Sequence, residues 1–381
     1  MNKKILGCLL GAAVGDAMGA ATETKSIRQI KKEFGGAVRD FKTPPDDTLA
    51  RGRRAGQITD AFSIPYILAN HIIKNNGNIS KKIGEEALLE WGNTEYFEPF
   101  AGMTTRSVVN RLRQDASMGT WAFAGRLGTK LYKSHYYALS SNGAASKAYP
   151  AGLLSKGDID KAIENTVELT MASHDDPYSI SGACAVASAV SEAMKMKTSI
   201  HQIIEAALEG SIKGEKLARA RKDIWTYPGP SVTKRIHMAV QIALRSGEKD
   251  EVINELRERI GSGPAISESV PIALGIIIAN QGSTMESIYD AVNIGDETSS
   301  IACIVGAIVG TYNGSRSITD GYLDIIEKEN NINIHYFEAP VKESLDSKLV
   351  KKFFNDLDNL LNIPEDCRFN IDLDLYKNKK E

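Results

Sequence analysis

SSIACIVGAIVGTYNG, residues 299–314, sets Ile301, Ile304, Val305, Ile308, Val309 and Tyr312 at steps of three and four. A strand would alternate apolar and polar residues with period two, whereas this spacing gathers the six side chains on one face of a helix. The same period returns over residues 64–73, 104–112, 159–171, 180–194, 203–212, 231–244 and 270–278. Sustained alternation is scarce, so the sequence predicts an all-α fold, a compact bundle of many helices.

Glycine and alanine are spread through these helical stretches, as in GCLLGAAVGDAMGA (residues 7–20) and GAIVG (residues 306–310). Glycine costs a helix stability, so its repeated use points to close approach of helix to helix or of backbone to a ligand. No Pro/Ser-rich linker divides the first part of the chain, and residues 1–316 are read as one domain. Residues 317–381 are more polar and form a C-terminal appendage, partly helical, packed on or extending the same domain. An amphipathic helix is expected over residues 344–361, and the final YKNKKE is expected to fray.

Across 381 residues, 46 basic side chains face 48 acidic ones, a net charge of -2. No global field favours nucleic acid or an anionic membrane, and neither is expected as a partner. Cys8, Cys184 and Cys303 lie in apolar, small-residue segments without CxxC spacing and are read as buried reduced thiols. MNKKILGCLLGAAVGDAMGA (residues 1–20) imitates a secretion signal, but the apolar run before Cys8 is short and Asp16 interrupts it. No segment is long enough to span a bilayer, and a cytoplasmic protein is expected.

Four stretches put acids or hydroxyls near helix ends or beside small residues: GDAMGAATE (15–23), GQITDAF (56–62), SHDDPYS (173–179) and NIGDETSSIA (293–302). Singly, such residues are helix caps. Repeated far apart in sequence, hydroxyl and carboxylate oxygens at loop-to-helix junctions suit a hard cation such as magnesium, which takes several oxygen ligands.

With these motifs in place, the chain resembles the ADP-ribosylglycohydrolases, an all-α family with a binuclear magnesium or manganese centre that releases ADP-ribose from protein side chains or related acceptors. LGCLLGAAVGDAMGAATE resembles the opening glycine-rich helix with its terminal glutamate, Glu23. GQITDAF is similar to a Trp-Thr-Asp-Asp-Thr motif, FAGMTTRSVVNRL to a glycine-rich loop, and SNGAASKAYPAGL to a Gly-Asn-Gly-Ser segment. SHDDPYS resembles Thr-His-x-Asp-Pro, SESVPIAL a Glu-x-Val-Pro helix start, and GDETSSIACIVGAIVG the final Gly-Gly-Asp-Thr-Asp-Thr-Ile-Ala helix. Seven motifs in the right order carry the resemblance from about residue 5 to residue 314. By the same order, Asp46 and Asp47 of PPDDTLARG form a turn, not the metal motif.

The resemblance implies Thr59, Asp60, Asp296, Glu297, Ser299 and Ser300 as metal positions, and Asp60 or Glu23 as the carboxylate that activates water. It implies a substrate surface of Gly102, Asn142, Gly143, Ala144, His174 and Asp175, with glycine amides at a diphosphate and His174 at the ribose or acceptor. Two carboxylates of the pattern are missing, since Ala61 replaces the second aspartate of the first motif and Ser299 an aspartate of the last. One Mg2+ or Mn2+ ion, or none, is therefore expected in place of two. Ala144 also stands where the family offers a serine hydroxyl. Three readings stay open: a metal-assisted hydrolase of an ADP-ribosyl or related ribosyl bond, a catalytically reduced ribosyl-binding or structural protein, and a hydrolase of a smaller nucleoside-like compound. Glu297 and Ser299 could equally cap the helix at Ile301, and His174 could be structural.

Overall fold

The computed structural model describes residues 2–114, 140–224, 226, 228–245 and 247–334. Among these residues no strand forms; the single β-type pairing is an isolated bridge between Ser141 and Ala265. The helices run α1 (Asn2–Gly19), α2 (Ile27–Phe34), α3 (Asp60–Lys74), α4 (Lys81–Gly92), α5 (Phe97–Phe100) and α6 (Met103–Gln114). They continue as α7 (Gly143–Ser146), α8 (Tyr149–Ser155), α9 (Ile159–Thr170), α10 (Pro177–Ala193), α11 (Ile200–Ala220) and α12 (Val232–Ala243). The last are α13 (Lys249–Ile260), α14 (Ile266–Ala279), α15 (Thr284–Asn293), α16 (Thr298–Asn313) and α17 (Tyr322–Asn330). The all-α expectation holds, and each helical stretch predicted before residue 314 falls within or over one of these helices.

The closest helix pair explains the glycines. Gly7, Gly11, Gly15 and Gly19 recur every four residues and so share one side of α1. That side lies directly on α16, where the backbone atoms of Gly310, Gly306, Ala302 and Ser299 occupy the space a Cβ would need. Without side chains between them, the two backbones pack in direct contact. Gly306→Ala would drive its methyl into the carbonyl of Gly11. The helices must part, and overpacking of this kind costs up to about 3 kcal/mol. A lower midpoint of chemical unfolding is expected, and an unchanged midpoint would show that the pair can separate freely.

The one-face pattern read in α16 understates its burial. Thr298 through Thr311 are all buried, because α16 contacts α10, α14 and α15 as well as α1. The opposite faces use Ala302, Cys303 and Ala307, residues too small to register as an apolar stripe but well suited to a central helix. Helix α10 is likewise buried along all of Pro177–Ala193. Cys8, Cys184 and Cys303 are buried and free, as the sequence predicts. Among the described residues no helix is long and apolar enough to cross a membrane.

Beyond Gly314, the described chain turns back onto the bundle. Ile326 is fully buried, Tyr322 stacks against Phe41 at 4.7 Å between ring centroids, and Asn330 accepts from Ile58 N at 2.9 Å. The helix expected over residues 344–361 and the terminal YKNKKE lie outside the described residues.

Candidate active site

The site is built outward from a buried acid. Asp16 sits in the apolar α1 with no exposed surface. It accepts hydrogen bonds from Thr59 N at 2.8 Å, Thr59 Oγ1 at 2.5 Å and Phe62 N at 3.1 Å. A carboxylate that takes free amides at a helix start is a cap, here supplied by a different helix. Asp16 thereby fixes where Thr59 and Asp60 enter α3. Burial still pushes its carboxyl up to about 6, against the pull of these donors. Sequence reasoning used Asp16 only as an argument against export; its isolation in an apolar helix was the available signal, since a buried acid must have partners.

Asp60 then faces a cavity of about 260 Å³ whose walls come from seven parts of the chain. Its acidic side is Glu23, Asp60 and Glu297, with the hydroxyls of Thr59 and Ser300. The lining also includes Gly102, Ser141, Asn142 and Gly143, together with Thr104, whose hydroxyl has no partner among the described residues. Leu49, Phe100 and Met103 add an apolar rim. Leu49 follows the PPDD turn, in which Thr48 N bonds to Pro45 O at 3.1 Å. Asp47 pairs with Lys25 at 2.6 Å and does not line the cavity.

Among the described residues no basic side chain lines this cavity, and its acids raise one another. Burial, then Glu297, holds the Glu23 carboxyl well above the usual range, although Ser299 N donates to it at 3.2 Å. Burial, then Asp16 and Glu297, brings Asp60 up to about 7. Glu297 is raised mainly by burial and steadied by Asn142 Nδ2 at 2.9 Å. Like charges facing one another in a partly enclosed space call for a cation.

Oxygen donors of this kind are the ligand type that a hard cation takes. Glu23, Thr59, Asp60, Glu297 and Ser300 all reach the cavity, but Ala61 is buried in the apolar core and Ser299 engages Glu23 through its backbone. Asp296 has an exposed side chain outside the cavity. Its backbone instead ties the loop before α16 to the end of the α1 segment, through Thr24 N to Asp296 O at 2.8 Å and Asp296 N to Lys25 O at 3.0 Å. Among the described residues no three His, Cys, Asp or Glu side chains gather closely enough to hold an ion by themselves. The hydroxyls of Thr59 and Ser300 are further oxygen donors on the same cavity.

The predicted substrate residues separate into two groups. Gly102, Asn142 and Gly143 line the cavity, and nothing lies within 4 Å of where a Cβ on Gly102 would stand. Asn142 also braces Glu297, as already described. Ala144, His174 and Asp175 are buried behind the wall. His174 reaches the cavity only through Ser141, whose Oγ lies 2.9 Å from His174 Nε2. Asp176, next in sequence, caps α10 by accepting from Tyr178 N at 3.0 Å and Ser179 N at 2.9 Å. Ser141 and Lys147 were missed in the sequence; Lys147 Nζ is buried against Ser173 Oγ and lies 3.4 Å from His174 Nδ1.

Burial pulls Lys147 down to about 7, against the opposing influence of Asp60. The unfolded chain keeps its lysine charged up to about pH 10.4, so above pH 7 the unfolded state binds the extra proton and stability must rise with pH. Lys147→Met removes this slope. Relative to that variant, the parent protein is expected to gain about 2 kcal/mol in denaturant-derived stability between pH 7 and pH 9. Parallel curves would mean that Lys147 titrates normally.

With this geometry in place, comparison with known proteins gives one consistent family. The family model described as ADP-ribosylglycohydrolase matches residues 1–356. The uncharacterized protein YegU of Escherichia coli (strain K12) is 24% identical over 341 residues, covering 88% of this chain and 95% of the relative. ADP-ribosylhydrolase ARH3 of Bos taurus is 22% identical over 337 residues, 83% of this chain and 86% of the relative. A solved structure titled ADP-ribosylglycohydrolase-related protein complex superposes with a TM-score of 0.58 at 19% identity, covering 94% of this chain and 96% of the other, which establishes a shared fold.

Proposed function

The chain belongs to the ADP-ribosylglycohydrolase family, and on that premise we propose that it hydrolyses the C1′ bond of an ADP-ribosyl or closely related ribosyl compound with the help of one divalent cation. The observation that carries this reading is the cavity itself, lined by three carboxylates, hydroxyls and two glycines, with no basic side chain among the described residues.

Glu23, Glu297, Thr59 and Ser300, with Asp60, are the residues that would hold Mg2+ or Mn2+. When bound, such an ion offsets the repulsion among the acids and lowers the pKa of associated water or polarises sugar hydroxyls. Asp60, fixed at the α3 start by the Asp16–Thr59 contacts, takes the proton of the attacking water. Asn142 keeps Glu297 in place through its Nδ2 hydrogen bond. Leu49, Phe100 and Met103 shield one side of the space from solvent, which strengthens charge interactions as positive charge develops at C1′. Gly102 and Gly143 leave room for a phosphate-bearing group to approach the backbone.

The missing carboxylates at Ala61 and Ser299 favour a second reading, a ribosyl-binding protein without turnover. Purified protein loaded with magnesium or manganese and offered O- and N-linked ADP-ribosyl compounds separates the two. Metal-dependent release of ADP-ribose supports hydrolysis. A ligand-induced rise in melting temperature without product across linkages and metals would replace it with the binding reading. Turnover confined to free nucleosides would narrow the substrate to a smaller ribosyl compound.

A further inference from the structure

A hydrogen-bonded chain leads from the cavity wall to a buried amine. Ser141 lines the cavity, and its Oγ lies 2.9 Å from His174 Nε2. On the other edge of the ring, His174 Nδ1 meets Ser173 Oγ at 2.8 Å and Lys147 Nζ at 3.4 Å, while Lys147 Nζ also contacts Ser173 Oγ. Lys147, Ser173 and His174 are each at least 95% buried. The backbone holds the first link, since Ser141 forms the bridge with Ala265 and Asn142 N donates to Pro264 O at 2.8 Å.

Direction follows from donor chemistry. Below about pH 7 Lys147 is an ammonium, which donates and cannot accept, and it then makes Ser173 Oγ and His174 Nδ1 its acceptors. Ser173, already receiving from Lys147, has its own O–H to give to Nδ1. Burial and the neighbouring Lys147 both keep the His174 ring neutral. A neutral ring that accepts at Nδ1 carries its proton on Nε2 and donates it to Ser141 Oγ. The hydroxyl proton of Ser141 is then left to point into the cavity.

We infer that Ser141 is the general acid of this site, donating its hydroxyl proton to the departing oxygen or nitrogen and being resupplied through His174 from Lys147. The inference rests on the hydrolase reading. As the C1′ bond breaks, its electron pair stays with the leaving atom, which takes the Ser141 proton. Ser141 Oγ takes the Nε2 proton, Nδ1 takes one from Lys147 directly or through Ser173, and the amine is left neutral. The attacking water gives its own proton to Asp60, and solvent restores both ends after release. Ser141 touches the leaving group; His174 and Lys147 act through it as positioning and supplying residues.

Leaving-group dependence tests this in the full-length, metal-loaded protein. An alkyl ADP-riboside needs its oxygen protonated, whereas a p-nitrophenyl ADP-riboside expels a stable phenolate unaided. Ser141→Ala and Lys147→Met are each expected to slow the alkyl compound about 100-fold and the nitrophenyl compound less than about 3-fold. Equal losses on both compounds would make the two residues merely structural and overturn the relay. Ring 15N shifts of His174 give a second, activity-independent readout, with a proton on Nε2 expected and a proton on Nδ1 overturning the relay alone. Absence of turnover of either compound by the unaltered protein would defeat the hydrolase reading and the relay with it.

Discussion

Asp60→Asn is expected to lower kcat/KM for ADP-ribose release by about three orders of magnitude while leaving the metal-free protein at least as stable as before. Loss of a positioned base removes about 100- to 10,000-fold of rate, and loss of a metal ligand adds to that. Stability moves the other way because Asp60 is held at about 7 by burial and by Asp16 and Glu297. In the unfolded chain the same carboxyl titrates near 3.9. Between these values the folded state binds the extra proton, so this stabilising contribution is complete below about pH 4 and is lost as pH rises through 7. Asparagine carries no such penalty. Melting temperature against pH, taken in chelator, should therefore fall less steeply for Asp60→Asn than for the parent protein, and sites that give up stability for activity show this opposition. A variant that is both inactive and less stable at pH 8 would mean that Asp60 supports the fold and does not face a repulsive cavity.

How much of this could be read from the sequence depended on whether the signal was local. Helical periodicity is local, and it gave the all-α class and the positions of the long helices. The glycines of α1 and α16 announced a close approach but not each other, because a contact between Gly11 and Gly306 spans nearly the whole chain. Gly102, Asn142 and Gly143, together with Thr59, Asp60, Glu23, Glu297 and Ser300, reach one cavity, since motif order carries information about which loops converge. Asp296 and Ala144 share their neighbours' motifs yet fall outside it, because side-chain direction at a loop-to-helix junction turns on single φ/ψ values; Asp296 has a φ of 62°. Ser141 and Lys147 escaped notice because their meaning comes from partners more than 25 residues away, His174 and Ser173. A lone serine or lysine in a small-residue stretch has no periodicity to betray it.

Restoring the second aspartate tests the same electrostatic picture from the opposite side. Ala61 is 2% exposed, its carbonyl receives Cys303 Sγ at 3.2 Å, and it lies between Asp60 and Phe62, whose amide is already used by Asp16. Ala61→Asp would add another acid to a region where Asp16 is raised by burial, and Asp60 and Glu23 by burial and by neighbouring acids. An uncompensated buried charge costs about 3 to 5 kcal/mol, so a drop of that order in metal-free stability is expected by denaturant titration. Millimolar manganese should recover much of the loss, because an ion bound only by the folded state at a hundred times its Kd contributes about 2.7 kcal/mol. The parent protein, with a donor set for one ion, should gain less from the same addition. Should the variant lose no stability without metal, the cavity would already hold a compensating charge and the one-ion reading would fall. Should it lose stability and manganese restore nothing, the carboxylate at residue 61 would be facing the apolar core, and the departure at Ala61 would be one of packing with no bearing on metal.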